Sequence, residues 1–277
     1  MADNSKIVPI LRCDNLNSLQ VQDVVAVEEP LEIRLRYEHL KQTITKSISV
    51  TMRTPGHDIE LAIGFLFTEG IISGSSEVIS AVVAGGKTGN VVIVTISSDL
   101  TDKLKKLDRH FYTSSSCGVC GKASIEALDT VCDRQDIKDN VNVHASMLYK
   151  LPSILREKQE VFEKTGGLHG CALFDIGGDF IELMEDVGRH NALDKLIGTS
   201  VTRGNVPLTN YVLLLSGRAS FELVQKSIMA GIKVIASVGA PSSLAVELAN
   251  EWDITLVCFL RERRFNVYSG AHRIVFS

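Results

Sequence analysis

Two thiols, Cys117 and Cys120, stand three positions apart in the run Thr113-Ser114-Ser115-Ser116-Cys117-Gly118-Val119-Cys120-Gly121-Lys122. The Ser and Gly neighbours carry little bulk and leave the backbone free, so the sulfurs are suited to meet a partner molecule rather than to fill a core. Lys122 and the Ser hydroxyls favour the thiolate, the reactive form of cysteine. A helical apolar pattern starts downstream at Ala123, Ile125, Ala127 and Leu128, and its N-terminal dipole would lower a nearby thiol pKa further.

Three chemistries use such a pair. A closed zinc site needs four ligands, usually from a second clustered pair, whereas Cys13, Cys132, Cys171 and Cys258 are scattered singly. A thioredoxin-like redox centre needs a strand running directly into the motif. Here the nearest apolar strand pattern, Val91 to Ile96, is separated from the pair by the polar stretch Asp99 to Arg109. Covalent sulfur carriage asks only that one thiolate accept a sulfane sulfur as a persulfide and hand it on. Two ordinary surface cysteines are a weak account, because cysteine is usually buried. The carrier and redox readings both stand at this point.

A second candidate is the run Phe259-Leu260-Arg261-Glu262-Arg263-Arg264, with three permanent cations in four positions after an apolar strand. Guanidinium groups bind phosphate bidentately, and the competing reading is a solvated basic turn. Asp186, Arg189 and His190 form a third polar cluster between a strand and a helix. Arg189 and His190 read as binding residues and Asn191 as a helix cap. Cys132, Cys171 and Cys258 read as buried small apolar side chains, and Trp252 and Phe265 as packing.

The elements that must position these groups follow from the apolar periodicity. Leu31, Ile33, Leu35 and Tyr37 alternate with charge, Ile44 to Val50 marks a second strand, and Val91 to Ile96 a third. After the turn Arg53-Thr54-Pro55-Gly56, Asp58 is expected to cap a helix ending at Gly70. A connecting helix is expected over Ala145 to Phe162, with Pro152 near its start or at a kink. Ala172–Phe174 and Phe180–Met184 read as a hairpin, followed by a helix from Asn191 to Ile197. Strands at Tyr211–Leu215, Val234–Ser237 and Ile254–Phe259 alternate with helices at Phe221–Ala230 and Leu244–Ala249, the mark of parallel βαβ units. Ligands of such sheets bind beyond the strands' carboxyl ends. Those ends are the segments Ser216-Gly217-Arg218, Gly239-Ala240-Pro241 and Leu260 to Arg264. The fold class is α/β, with a smaller, mainly β domain over residues 1–140, holding the cysteine loop, and a larger α/β domain over 141–277 whose strand ends are the candidate binding loops.

The 277 residues are 45% hydrophobic and 22% charged, and the formal net charge is −4. That balance gives no basic field for nucleic acid, so an anionic ligand must be held by local arginines. No apolar run approaches a membrane span, and the start lacks a signal-peptide apolar region, so a cytoplasmic protein with reduced cysteines is expected.

Five segments in order resemble the FdhD family, the sulfur-carrier accessory proteins of formate dehydrogenase. They are the cysteine loop, Arg53 to Leu66, Thr165 to His169, Glu185 to Lys195 and Ser216 to Arg218, and the likeness spans about Glu29 to Ile274. The resemblance implies a sulfurtransferase in which Cys117 carries a persulfide loaded by a cysteine desulfurase, with Cys120 as the motif's second cysteine. It implies delivery to molybdenum bis(molybdopterin guanine dinucleotide) before that cofactor enters formate dehydrogenase, with no metal of the protein's own. The family's cofactor-binding stretch maps onto Phe259 to Arg264, although members often carry Gly or Pro where Glu262 and Arg263 stand. A homodimer is also implied, and its contact is expected on apolar surface of the C-terminal domain. A non-catalytic cofactor-binding chaperone and a dithiol–disulfide oxidoreductase are the alternatives.

The family's C-terminal domain is similar to cytidine deaminases, a three-layer α/β/α fold. The segment Thr165 to Ala172 faintly resembles their zinc-ligand segment. A deaminase needs H-x-E followed by P-C-x-x-C. Here Cys171 stands at the glutamate position and the later segment reads Ser216-Gly217-Arg218-Ala219-Ser220, which excludes deaminase chemistry.

Overall fold

The computed structural model describes residues 4–15, 17–86, 89–97 and 141–276. Cys117, Cys120 and the helical pattern after them therefore lie outside the described residues, as does Cys132. At the N-terminus β1 (Ser5–Asp14) and β2 (Asn17–Ala26) form an antiparallel hairpin that pairs with no other strand among the described residues. Periodicity gave no notice of this hairpin, because most of its residues are exposed on both faces.

β3 (Glu29–His39) and β4 (Gln42–Arg53) form the expected first pair, with Leu31, Ile33 and Leu35 buried between their charged neighbours. The chain then enters α1 (Asp58–Thr68), passes along β5 (Val78–Ala84) and returns as β6 (Val91–Ile96), parallel to β3. The sheet order is β4-β3-β6-β5. The sequence expects Asp58 to cap α1, but Asp58 is the helix's first residue and His57 occupies the cap position at φ 55°, without a side-chain bond. Asp58 instead takes a bidentate ion pair from the buried Arg53, at 2.9 and 3.0 Å.

The expected connecting helix is broken in three. After β7 (Val143–His144) come α2 (Ala145–Leu148), α3 (Leu151–Lys158) and α4 (Glu160–Thr165). Pro152 sits in the first turn of α3, where its missing N–H costs nothing. The hairpin β8 (His169–Asp175) and β9 (Phe180–Asp186) closes through Asp175, whose Oδ1 accepts the Gly177 and Asp179 N–H groups, both at 2.9 Å.

The helix α5 (Arg189–Thr202) runs longer than expected, because Gly198-Thr199-Ser200 reads as a stop but continues the helix. Thr199, Ser200 and Thr202 satisfy their hydroxyls on carbonyls four residues back. Then follow β10 (Tyr211–Leu215), α6 (Phe221–Met229), β11 (Val234–Ser237), α7 (Ser243–Glu251), β12 (Thr255–Arg261), β13 (Arg264–Ser269) and β14 (Ile274–Val275).

The large sheet has the order β13-β12-β11-β10-β8-β9, with β10, β11 and β12 parallel. Its alternate residues bury on opposite faces. Cys171, Leu173, Leu213, Ile235 and Leu256 face α5, α6 and α7, while Ala172, Phe174, Leu214, Ala236 and Val257 face α2 and α3. Burial on both faces explains why these strands read as continuous apolar runs. The first of these cores also takes in Leu31, Leu35, Val92 and α1, so one apolar cluster spans both sheets. At its centre α1 crosses α5 at Gly64 and Gly198. A Cβ on Gly64 would fall far inside contact distance of the Asp194 carbonyl oxygen and 2.7 Å from its carbon. Only glycine lets the two backbones touch.

Candidate functional site

The parallel strands bring their carboxyl ends to one edge of the large sheet, and antiparallel β8 brings His169 to the same edge. The segments there are hydrogen-bonded into a rim. Gly170 N–H donates to Ser216 Oγ at 2.8 Å, and Ser216 N–H returns a bond to Gly170 O at 2.9 Å. Ser237 Oγ donates to Gly217 O at 2.6 Å, Gly239 N–H to the same oxygen at 3.0 Å, and Phe259 N–H to Gly239 O at 3.0 Å. A Cβ on Gly239 would lie 2.6 Å from Gly217 O and 2.7 Å from Arg218 N, so a side chain there would displace the Gly217-Arg218 turn. The sequence marks these loops, Gly239 among them; the bond from Ser237 is added by the structure, its only sequence signal being a small polar residue at the end of a buried strand.

The charge of the rim is set by Arg189, at the start of α5, and Arg218. Burial lowers the His169 pKa, and Arg189 and Arg218 lower it further. Burial, then Arg189 and Lys226, pushes the His190 pKa down to about 4. Both rings are therefore neutral near pH 7, and the two guanidinium groups carry the positive charge. Arg189 Nε is buried and has no hydrogen-bond partner among the described residues. His190 Nε2 lies 3.4 Å from Ser220 Oγ and 3.8 Å from a Glu222 carboxylate oxygen. Such an edge, with two guanidinium groups and the unpartnered Arg189 Nε, suits a phosphoryl group.

Asp186 and Asn191 serve the junction between sheets instead. Asp186 is fully buried, pairs with Lys195 at 2.7 Å, and accepts the Thr54 and Gly188 N–H groups at 3.1 and 2.8 Å. Asn191 does not cap α5; its Nδ2 donates to Met52 O at 2.7 Å. Together they fasten the end of β4 to the β9–α5 corner.

The basic stretch is not an open loop. Phe259, Leu260 and Arg261 close β12, Glu262-Arg263 is a two-residue turn, and Arg264 opens β13 opposite Arg261. Leu260 is fully buried, so its side chain faces core. Arg261 Nη1 donates to Val238 O and Leu260 O, both at 2.7 Å, which ties the hairpin to the rim. Phe259 is half-exposed and held at φ 53°, an unusual backbone for an aromatic residue, at a break in the β12–β13 register. Clefts of about 820 and 550 Å³ lie away from the rim, beside the N-terminal hairpin and beside the β4–α1 turn.

Two described cysteines are unsuited to sulfur chemistry. Cys171 and Cys258 are buried, and burial pushes the Cys171 thiol far up and the Cys258 thiol to about 12. Among the described residues no group of three or more His, Cys, Asp or Glu is placed to hold a metal ion. No described helix is long and apolar enough to cross a membrane.

Comparison with known proteins agrees with the α/β reading. A crystal structure of a formate dehydrogenase accessory protein from Desulfotalea psychrophila superposes with a TM-score of 0.73 at 23% identity, over 99% of this chain and 100% of the other. The sulfur carrier protein FdhD of Streptomyces avermitilis is 49% identical over 260 residues, covering 91% of this chain and 89% of its own. The protein of that name from Sulfurisphaera tokodaii is 41% identical over 270 residues, covering 98% and 99%. The family model described as FdhD/NarQ matches residues 26–275. With a match of that extent and relatives this close along almost the whole chain, the protein belongs to the FdhD/NarQ family.

Proposed function

We propose that this chain is a cytoplasmic sulfur carrier for formate dehydrogenase, and that Cys117 is the carrying residue. The observation that carries the reading is identity of 41–49% to proteins named sulfur carriers, over nearly the whole chain. The Cys117 thiolate attacks the outer sulfur of a persulfide on a cysteine desulfurase. A new S–S bond forms on Cys117 as the desulfurase thiolate leaves, without net oxidation. Release as sulfide requires two electrons, and Cys120 supplies them. Its thiolate attacks the Cys117 sulfur, a Cys117–Cys120 disulfide forms, and the outer sulfur departs as hydrosulfide to the molybdenum of the cargo; a thiol reductant then reopens the disulfide.

The cargo in this reading is molybdenum bis(molybdopterin guanine dinucleotide), held at the rim. Arg189 and Arg218, with Arg261, Arg263 and Arg264 of the adjoining hairpin, offer guanidinium groups to its diphosphates. The half-exposed Phe259 ring offers a face to its guanine base. Counted from β8, the sheet order is 2-1-3-4-5-6, with the third to fifth strands parallel, which supports a deaminase-like nucleotide pocket without its metal. The organisation proposed is an N-terminal domain over 1–140 that bears the cysteines and a cargo-binding domain over 141–277.

Mass spectrometry after incubation with a desulfurase and cysteine tests the reading. One added sulfur atom on Cys117 is expected, and loss of two hydrogens across Cys117 and Cys120 after transfer. A disulfide without prior sulfur gain would mark an oxidoreductase. An unmodified Cys117 in a protein that still binds the cofactor would mark a chaperone.

A further inference from the structure

We propose that Glu222 reads the sugar of the bound nucleotide, its carboxylate accepting the 2′- and 3′-hydroxyls, so that the rim selects a ribonucleotide over a deoxyribonucleotide. The inference rests on the cargo reading above and adds where along the rim the ribose lies.

The edge that Arg189 and Arg218 make positive also holds a carboxylate. Glu222 lies in the first turn of α6. Burial raises its pKa, but bonds from its own backbone N–H and from the Ser220 hydroxyl outweigh this, and Arg189 adds to them. The group therefore lies below the usual carboxylate value and is ionised near pH 7. A negative charge beside a diphosphate site weakens the hold on phosphate, so its use there is toward hydroxyl donors. A carboxylate offers about four acceptor positions. The N–H and the Ser220 hydroxyl take one each, and a vicinal diol matches the pair left over. The side chain is 46% exposed, so a ligand can reach it. His190 Nε2 lies 3.8 Å from the carboxylate, and because that ring is neutral it leaves the acceptor positions open.

Position favours the sugar over the base. On this face of the large sheet α6 packs between α5 and α7, and α7 packs on β12 and β13. Ala219 N–H donates to Ala240 O and Ser242 N–H to Ala219 O, both at 3.0 Å, which pins the start of α6 beside the start of α7. Glu222 thus stands between Arg189, at the start of α5, and Phe259, near the end of β12. A nucleotide with its diphosphate on Arg189 and Arg218 and its base on Phe259 has its ribose between them. An acidic side chain on the ribose hydroxyl is also how nucleotide sites at the ends of parallel strands hold the sugar. The competing account is an acid that only offsets the α6 dipole.

Calorimetry of the full chain with guanosine diphosphate and its 2′-deoxy and 3′-deoxy forms tests this. The wild type is expected to bind the ribonucleotide about tenfold or more tightly than either deoxy form, since each lacks one charge-assisted hydrogen bond. Glu222→Gln is expected to shrink that preference to about twofold, weakening the ribonucleotide while the deoxy forms, relieved of repulsion, bind as well or better. Arg218→Gln is expected to weaken all three alike and keep the preference. Equal affinities of the wild type for the three nucleotides overturn the proposal. So does a Glu222→Gln protein that keeps the wild-type preference, or one in which all three affinities move together, the mark of a helix-end charge alone. Binding of none of the three overturns the cargo reading itself, and this inference with it.

Discussion

Gly64→Ala tests whether the α1–α5 crossing holds the two sheets together. The added Cβ would sit 2.7 Å from the Asp194 carbonyl carbon and 2.9 Å from Gly198 N, closer still to the Asp194 oxygen, where real Cβ atoms essentially never come within 3.0 Å. All three contacts are backbone, so no side chain can swing away. The helices must part by about an ångström, which forfeits a quarter to a half of the dispersion energy at each contact of the seam. Overpacking of this kind costs about 1–3 kcal/mol or more, against a gain of up to about 1 kcal/mol from replacing a mid-helix glycine. A net loss of about 2 kcal/mol is expected, which lowers Tm by about 4–8 °C for a chain of this size. Because α5 begins at Arg189, the same opening should shift the rim and weaken nucleotide binding. Gly74→Ala is the control, since a Cβ there meets nothing within 4 Å and its φ of 171° suits any residue. Thermal and urea unfolding of the three proteins measure the effect. A Gly64→Ala protein as stable as the control would refute the crossing as the basis of this packing.

Four further outcomes are expected. Lys226 holds Asp194 with two contacts of 3.0 Å and donates to Thr68 at 2.8 Å inside the α1–α5–α6 junction; Lys226→Met should cost about 3–5 kcal/mol in urea unfolding, because it leaves a buried carboxylate unpaired. His190 is neutral in the fold, so its contribution is complete above pH 6.5 and is lost as pH falls toward about 4; wild-type stability should therefore fall faster than that of His190→Gln across that window, and parallel curves would remove the assignment. Guanosine diphosphate should bind without metal, with Arg218→Gln and Arg264→Ala each about tenfold weaker by calorimetry and sulfur loading on Cys117 unaffected; equal affinities would show the cargo site to lie elsewhere. Cys117→Ala should abolish maturation of formate dehydrogenase at a stability cost within about half a kcal/mol, whereas Cys171→Ala should leave sulfur loading intact; a Cys117→Ala protein that restores full activity would remove the carrier reading.

Elements whose burial pattern is local are legible in the sequence. Leu31, Ile33 and Leu35 announce β3 because one face is buried, and Tyr211 to Leu215 announces β10 because both are. The cysteine spacing and the five family segments are likewise local, as is the run of arginines after β12. Tertiary structure decided the rest. Gly198 reads as a helix stop, yet it is the point where α5 touches α1, a contact 134 positions away in the chain at Gly64. Asp58 and Asn191 read as caps, but Arg53 and the Met52 carbonyl are nearer and stronger partners, and only the fold brings them close. The basic stretch reads as a loop, but strand pairing turns it into a hairpin with Leu260 inside. The N-terminal hairpin left no trace in the pattern, because periodicity records burial and most residues of this hairpin are exposed.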